Sequence, residues 1–89
     1  MVKVAFTQNL ARHVDSSTRE VEGGSIGEVL ERVFAVTPQL RGYIVDDQGA
    51  IRKHVAVFIN GEPINDRTLL SDVVNDGAEV FVAQSLSGG

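Results

Sequence analysis

Ser25-Ile26-Gly27-Glu28-Val29-Leu30-Glu31-Arg32-Val33-Phe34 is the stretch on which the fold turns. Ser25 and Glu28 have the spacing of a capping box, in which the serine hydroxyl accepts from the amide three residues on and the glutamate reaches back. Ile26, Val29, Leu30, Val33 and Phe34 recur at helical spacing and make one apolar face, with Glu28, Glu31 and Arg32 on the other. Pro38 disfavours helical geometry in the residue before it, so the helix is expected to end by Thr37. A single apolar stripe of this kind needs one surface to cover it.

That surface is predicted on both sides of the helix in sequence. Upstream, Val2, Val4 and Phe6 alternate with Lys3, Ala5 and Thr7, the period of a strand with one buried face. A polar stretch from Gln8 to Ser17 separates it from a weaker strand, Thr18 to Glu22, anchored by Val21 and broken by Gly23-Gly24. Downstream, Leu40 to Ile44 reads as a short turn of helix and Asp46-Asp47-Gln48-Gly49 as a turn. Val55-Ala56-Val57-Phe58-Ile59 is a continuous apolar strand, which suggests burial on both faces or a partner on one. Asn60-Gly61 turns the chain. Leu69, Leu70, Val73 and Val74 are expected to dock an irregular segment, and Asn75-Asp76-Gly77 turns into a last strand, Glu79 to Ala83. Residues 84–89 form a small, polar tail expected to be flexible.

The order is strand, strand, helix, strand, strand, tail. One helix between two strand pairs covers one face of one sheet, and right-handed crossover places the last strand beside the first, parallel to it. The expected fold class is α+β, a ubiquitin-like β-grasp: a mixed sheet of about four strands on one main helix, with a domain over 1–83 and a tail over 84–89.

Composition narrows the function. Eighty-nine residues make one domain with little room for a deep active-site pocket. Twelve acidic against eight basic residues give a formal net charge of −4, which argues against nucleic acid and favours a basic patch on a protein partner. The absence of cysteine excludes disulfides, thiolate metal sites and a cysteine nucleophile. His13 and His54 lack ligand spacing, so no metal and no bound cofactor are expected. No apolar run approaches a membrane span and no signal segment opens the chain, so no membrane contact and a cytoplasmic location are expected.

At these residues a family resemblance enters. Ser25 to Phe34, His54-Val55-Ala56-Val57-Phe58-Ile59-Asn60-Gly61-Glu62, Asp76-Gly77-Ala78-Glu79-Val80 and the final Gly88-Gly89 together resemble the ThiS/MoaD ubiquitin-like sulfur carriers over nearly the whole chain. The family usually carries proline or an aromatic residue before the tail, where this chain has Ala83-Gln84-Ser85. The resemblance implies a carrier, not an enzyme by itself. An E1-like activating enzyme would adenylate the Gly89 carboxylate with ATP, and a sulfur donor would convert it to a thiocarboxylate. A synthase would then accept the sulfur for molybdopterin, cysteine or a thio-metabolite. Gly88 and Gly89 suit a tail that threads a narrow channel, where side chains would add bulk and glycine reaches backbone angles closed to other residues. One alternative is a ubiquitin-like modifier joined through Gly89 to lysines; another is a non-covalent interaction domain with an inert tail.

A tail that enters a partner needs a docking surface on the body. Phe58 sits between Val57 and Ile59, and Phe81 between Val80 and Val82, so alternation turns both rings away from the helix. A register slip of one residue would put them in the core instead. Leu86 is a candidate apolar anchor within the tail, with Ser87 beside it, and Arg12, Arg41, Arg52 and Arg67 are candidate partners for acidic groups.

Overall fold

The computed structural model describes residues 1–7 and 18–84, which leaves the stretch 8–17 and most of the tail outside the described residues. The described elements are β1 (Val2–Phe6), β2 (Arg19–Val21), α1 (Ile26–Val36), α2 (Gln39–Ile44), β3 (Val55–Ile59), β4 (Glu62–Pro63) and β5 (Glu79–Gln84). The strands form one mixed sheet in the order β2-β1-β5-β3-β4. β5 lies parallel to β1, with Val4 opposite Val80 and Phe6 opposite Val82, and antiparallel to β3, with Val57 opposite Val82. This is the β-grasp arrangement that strand order and crossover handedness predict.

Helix α1 packs its stripe against one face of that sheet. Ile26, Val29, Leu30, Val33 and Phe34 meet Val2, Val4, Val55, Val57, Val80 and Val82, all buried in one cluster. Phe6, Val21, Tyr43 and Ile59 pack against its edge. The helix begins as its sequence dictates, with the Ser25 hydroxyl accepting from the Glu28 amide at 3.2 Å. The Glu28 carboxylate, however, accepts from the amide of Gly24 at 2.7 Å, one residue before the cap. Gly23 is required by contact: a Cβ there would lie 2.9 Å from Val29 Cγ2 and 3.0 Å from the Val29 amide nitrogen.

The structure departs from the sequence expectation in two places. The sheet has five strands, not about four, because Asn60 (φ 51°) and Gly61 (φ 87°) make a tight left-handed turn that folds Glu62 and Pro63 back onto Ile59 and Phe58. Two residues carry no readable alternation, and proline is tolerated because β4 is an edge. The second departure is the segment before β5, where Leu70 and Val74 are buried but Leu69 and Val73 are 80% and 70% exposed.

That segment is held by carboxylates more than by apolar docking. Asp72 accepts from the amides of Asn65 and Asp66, and Asp66 accepts from the amides of Thr68, Leu69 and Ser71 and from the Ser71 hydroxyl. Leu70 adopts a left-handed φ of 58°. In return, the carbonyls of Leu70 and Asp72 accept from the amides of Gly27 (2.9 Å) and Ile26 (3.0 Å). Those amides belong to the first turn of α1 and have no partner within the helix.

Leu30 is 1% exposed. Leu30→Ala is expected to cost about 2–5 kcal/mol in urea unfolding, whereas Val36→Ala, at a site 77% exposed, should change stability by under about 0.5 kcal/mol. The Asp66 carboxyl is lowered from 3.8 to about 2, first by the Ser71 hydroxyl and then by the backbone amides around it. A depressed folded value means stability that is present above the unfolded value and lost as pH falls from 3.8 towards about 2. Asp66→Asn should therefore lower the urea midpoint at neutral pH and flatten its fall across that acid window relative to the parent chain; equal slopes would show that the loop carboxylate is not linked to folding.

Candidate functional site

The strand that leads to the tail is the central strand of the sheet. β5 continues through Gln84, whose amide donates to the Thr7 hydroxyl at 3.2 Å at the end of β1, while Gln84 stands opposite Val55 at the start of β3. Gln84 therefore stands at one pole of the sheet, held from both sides. Leu86, Ser87, Gly88 and Gly89 lie outside the described residues, as do Arg12 and His13. The site that the structure describes is the sheet surface that leads to Gln84.

That surface is the sheet face opposite α1. Register places Ala5 beside Phe81, Phe81 beside Phe58 and Phe58 beside Pro63, an apolar row across four strands. The rings of Phe58 and Phe81 lie 6.4 Å apart, centroid to centroid, and are tilted by 37°. This separation falls within the range of attractive aromatic pairs. Phe81 is 41% exposed and Phe58 half-buried, while Val80 and Val82, its neighbours along the strand, are at most 1% exposed. Alternation thus turns the rings outward as expected. Pro63 extends the row unforeseen, since it belongs to the short strand that no periodicity reveals.

The row has distinct flanks. On the side away from the tail, Lys3 stands between Glu20 and Glu79 in a charged row. On the tail side, Ala83 pairs with Ala56, so the surface drops from two rings to two methyl groups. The signal for this step is present in sequence as small residues at outward positions, but it acquires meaning only once the strands are aligned.

The described candidate arginines are each committed to different partners. Arg41 is committed to Glu31 in a two-pronged ion pair at 2.8 and 2.9 Å, which lowers the Glu31 carboxyl, and its guanidinium stacks 4.8 Å over the Phe34 ring. Arg52 donates from Nε to the Gly42 carbonyl at 2.8 Å. Arg67 is fixed at the pole where Gln84 stands, donating to the carbonyls of Arg52 (2.6 Å) and Val55 (2.7 Å). Among the described residues no group of three His, Cys, Asp or Glu side chains is placed to hold a metal ion, and no helix is long and apolar enough to cross a membrane.

Because Phe81 lies on the open face, Phe81→Asp is expected to lower the melting temperature by only about 4–8 °C, the shift that 1 kcal/mol produces in a domain of this size. Val80→Asp, on the helix face of the same strand, should leave no cooperative transition, since it buries an unpaired charge. Thermal unfolding followed by circular dichroism separates the two, and equal losses would mean that the ring is core.

No protein-family model matches the chain, and no curated protein matches it significantly. Solved structures do. Small archaeal modifier protein 1 from Haloferax volcanii is 25% identical, with a TM-score of 0.79 over 99% of this chain and 98% of its own. A chain of the Amycolatopsis orientalis BexX/CysO complex is 19% identical, with a TM-score of 0.84 over the full length of both. A chain of the complex of subunits 1 and 2 of molybdopterin-converting factor from Helicobacter pylori is 16% identical, with a TM-score of 0.64 over 99% and 97%. The last two likenesses are of fold. The structural neighbours of this chain are thus ThiS/MoaD-type ubiquitin-like proteins, the family that its sequence resembles.

Proposed function

We propose that the chain is a sulfur carrier in which Gly89 is the reacting residue and the aromatic row of the sheet is the surface that engages partners. The observation that carries this reading is the Phe58–Phe81 ring pair on the open sheet face, with the exposed Phe81 on the strand whose continuation ends in Gly88-Gly89 and the half-buried Phe58 on its neighbour β3. In the proposed cycle, the Gly89 carboxylate attacks the α-phosphorus of ATP on an E1-like activating enzyme and releases pyrophosphate. Sulfide from a donor adds to the acyl carbon, AMP leaves with the carbon–oxygen bonding pair, and a thiocarboxylate remains. An accepting synthase takes the sulfur, and water restores the carboxylate. ATP belongs to the activating partner, and the carrier acts as a cosubstrate in the cytoplasm, where ATP is available.

The physical demands of this cycle match what the body offers. Fixing each residue of an inserted tail costs about 1–2 kcal/mol in conformational entropy, and burying an exposed aromatic side chain against a partner returns roughly 1.5–3 kcal/mol. A carrier needs such a surface, because a tail of small residues has little area of its own with which to bind. Molybdopterin, cysteine and thio-metabolite synthesis are the candidate destinations of the sulfur.

The likeness to a small archaeal modifier protein favours a second reading, in which the same activated Gly89 is transferred to a lysine. Intact-mass spectrometry distinguishes the two: a carrier shows one oxygen replaced by sulfur on the free chain, and a modifier shows Gly89 in an isopeptide bond to another protein. Adding one residue after Gly89 is expected to abolish loading while the melting temperature stays unchanged. Thiocarboxylate-specific labelling that survives the addition would reject Gly89 as the reacting group, and full biological activity after deletion of Gly88-Gly89 would reject both covalent readings.

A further inference from the structure

The pole where Gln84 stands carries a second feature that the aromatic row does not use. A groove of about 450 Å³ opens where the row steps down to Ala56 and Ala83, and its rim is formed by Lys53, His54 and Arg67. None of the described residues that line it is acidic. In a chain with twelve acidic and eight basic residues, this is a local reversal of charge beside the root of the tail.

The reversal is built in. The Arg67 guanidinium is held by two backbone carbonyls, those of Arg52 and Val55, so it is fixed in place without being neutralised. Its sequence neighbour Asp66 is turned away into the loop, where amides and the Ser71 hydroxyl occupy its carboxylate. Asp46 and Asp47 border a separate depression with Arg52. Lys53 is exposed in the turn before β3, and neither it nor Arg67 pairs with a carboxylate among the described residues. A cation already ordered by its own backbone loses little entropy on meeting an anion, which is the condition under which charge complementarity steers association. The floor is apolar, so the shape suits a peptide that alternates carboxylates with small or apolar side chains more than it suits a fully charged polymer.

We infer that this groove docks an acidic segment of the protein that receives the tail, with Lys53 and Arg67 holding carboxylates and the two alanines giving the segment a close floor. The partner's identity rests on the carrier reading above; the groove's preference for an acidic peptide does not.

Two measurements test it separately. In the first, the full chain labelled with nitrogen-15 is titrated with a short peptide alternating aspartate or glutamate with leucine. The amides of Lys53, His54, Ala56 and Ala83 should shift, the affinity should fall with added salt, and Lys53→Glu should weaken it roughly five- to tenfold, the effect of reversing one rim charge. Lys53→Arg should keep it. Shifts elsewhere, no saturable shifts, or equal binding of a single-stranded oligonucleotide at the same amides would overturn the inference. In the second, the chain is the substrate of an ATP-dependent adenylating enzyme. Lys53→Glu should raise KM by a similar factor with kcat unchanged and remove most of its salt dependence. Equal KM and equal salt dependence in both chains would overturn the groove, whereas an unmodified chain that is never adenylated would overturn the carrier reading and leave the peptide titration to decide the groove.

Discussion

The parallel pairing of β1 with β5 is the contact around which the molecule is arranged. It joins the two ends of the sequence, with Lys3 opposite Glu79 and the Lys3 amide donating to the Ala78 carbonyl. The Met1 ammonium meets the Asp76 carboxylate, and the Gly77 amide donates to the Met1 carbonyl, so the start of the chain caps the turn into its last strand. A parallel neighbour cannot be reached by a hairpin; it requires a crossover, and α1 provides it. β5 is then bonded along both edges, to β1 and to β3. The last strand is therefore among the best-restrained parts of the body, and at Gln84 the chain leaves it from a fixed point.

How far this is legible depends on whether a residue's role is periodic. The stripe from Ile26 to Phe34, the alternation of β1 and the outward rings of Phe58 and Phe81 follow from spacing alone, because helices and strands repeat at 3.6 and 2 residues. The parallel pairing of the last strand with the first follows from handedness and the order of elements. β4 stays hidden because Glu62-Pro63 is shorter than one period. Leu69 and Val73 are misplaced because apolar type does not imply burial in a segment with no period, and many apolar residues remain at protein surfaces. The groove at Lys53, His54 and Arg67 is assembled from a turn and a loop that meet through Arg67's bonds to two carbonyls and the Ile51 amide's bond to the Arg67 carbonyl, and no spacing in the sequence encodes that meeting.

The irregular segment before β5 shows why such regions resist reading. Its order comes from Asp66 and Asp72, each accepting several amides, and from carbonyls at Leu70 and Asp72 that complete the first turn of α1. These bonds substitute for the ladder that a strand would have provided. They also couple three parts of the molecule: the helix start, the loop, and, through Arg67, the pole beside the tail. Two carboxylates in a loop read in sequence as solvated surface, yet here they fix where a guanidinium stands.

On the carrier reading, this division between a stiff body and a short reactive end has a consequence for how the body affects the chemistry. What the folded part contributes is then binding energy spent away from the reacting atoms. Such energy raises the rate only to the extent that it holds the carbonyl in its productive position in the transition state, not merely in the complex. A surface that gripped the partner but left the tail's origin loose would tighten association and do little more. By placing the aromatic row on β5 and its neighbours and the basic groove beside Gln84, the fold puts its contacts within three strand positions of the point where the tail begins. Binding there fixes the origin of the tail as well as the body, which is the form of contact that can be converted into positioning of a terminus a few residues away.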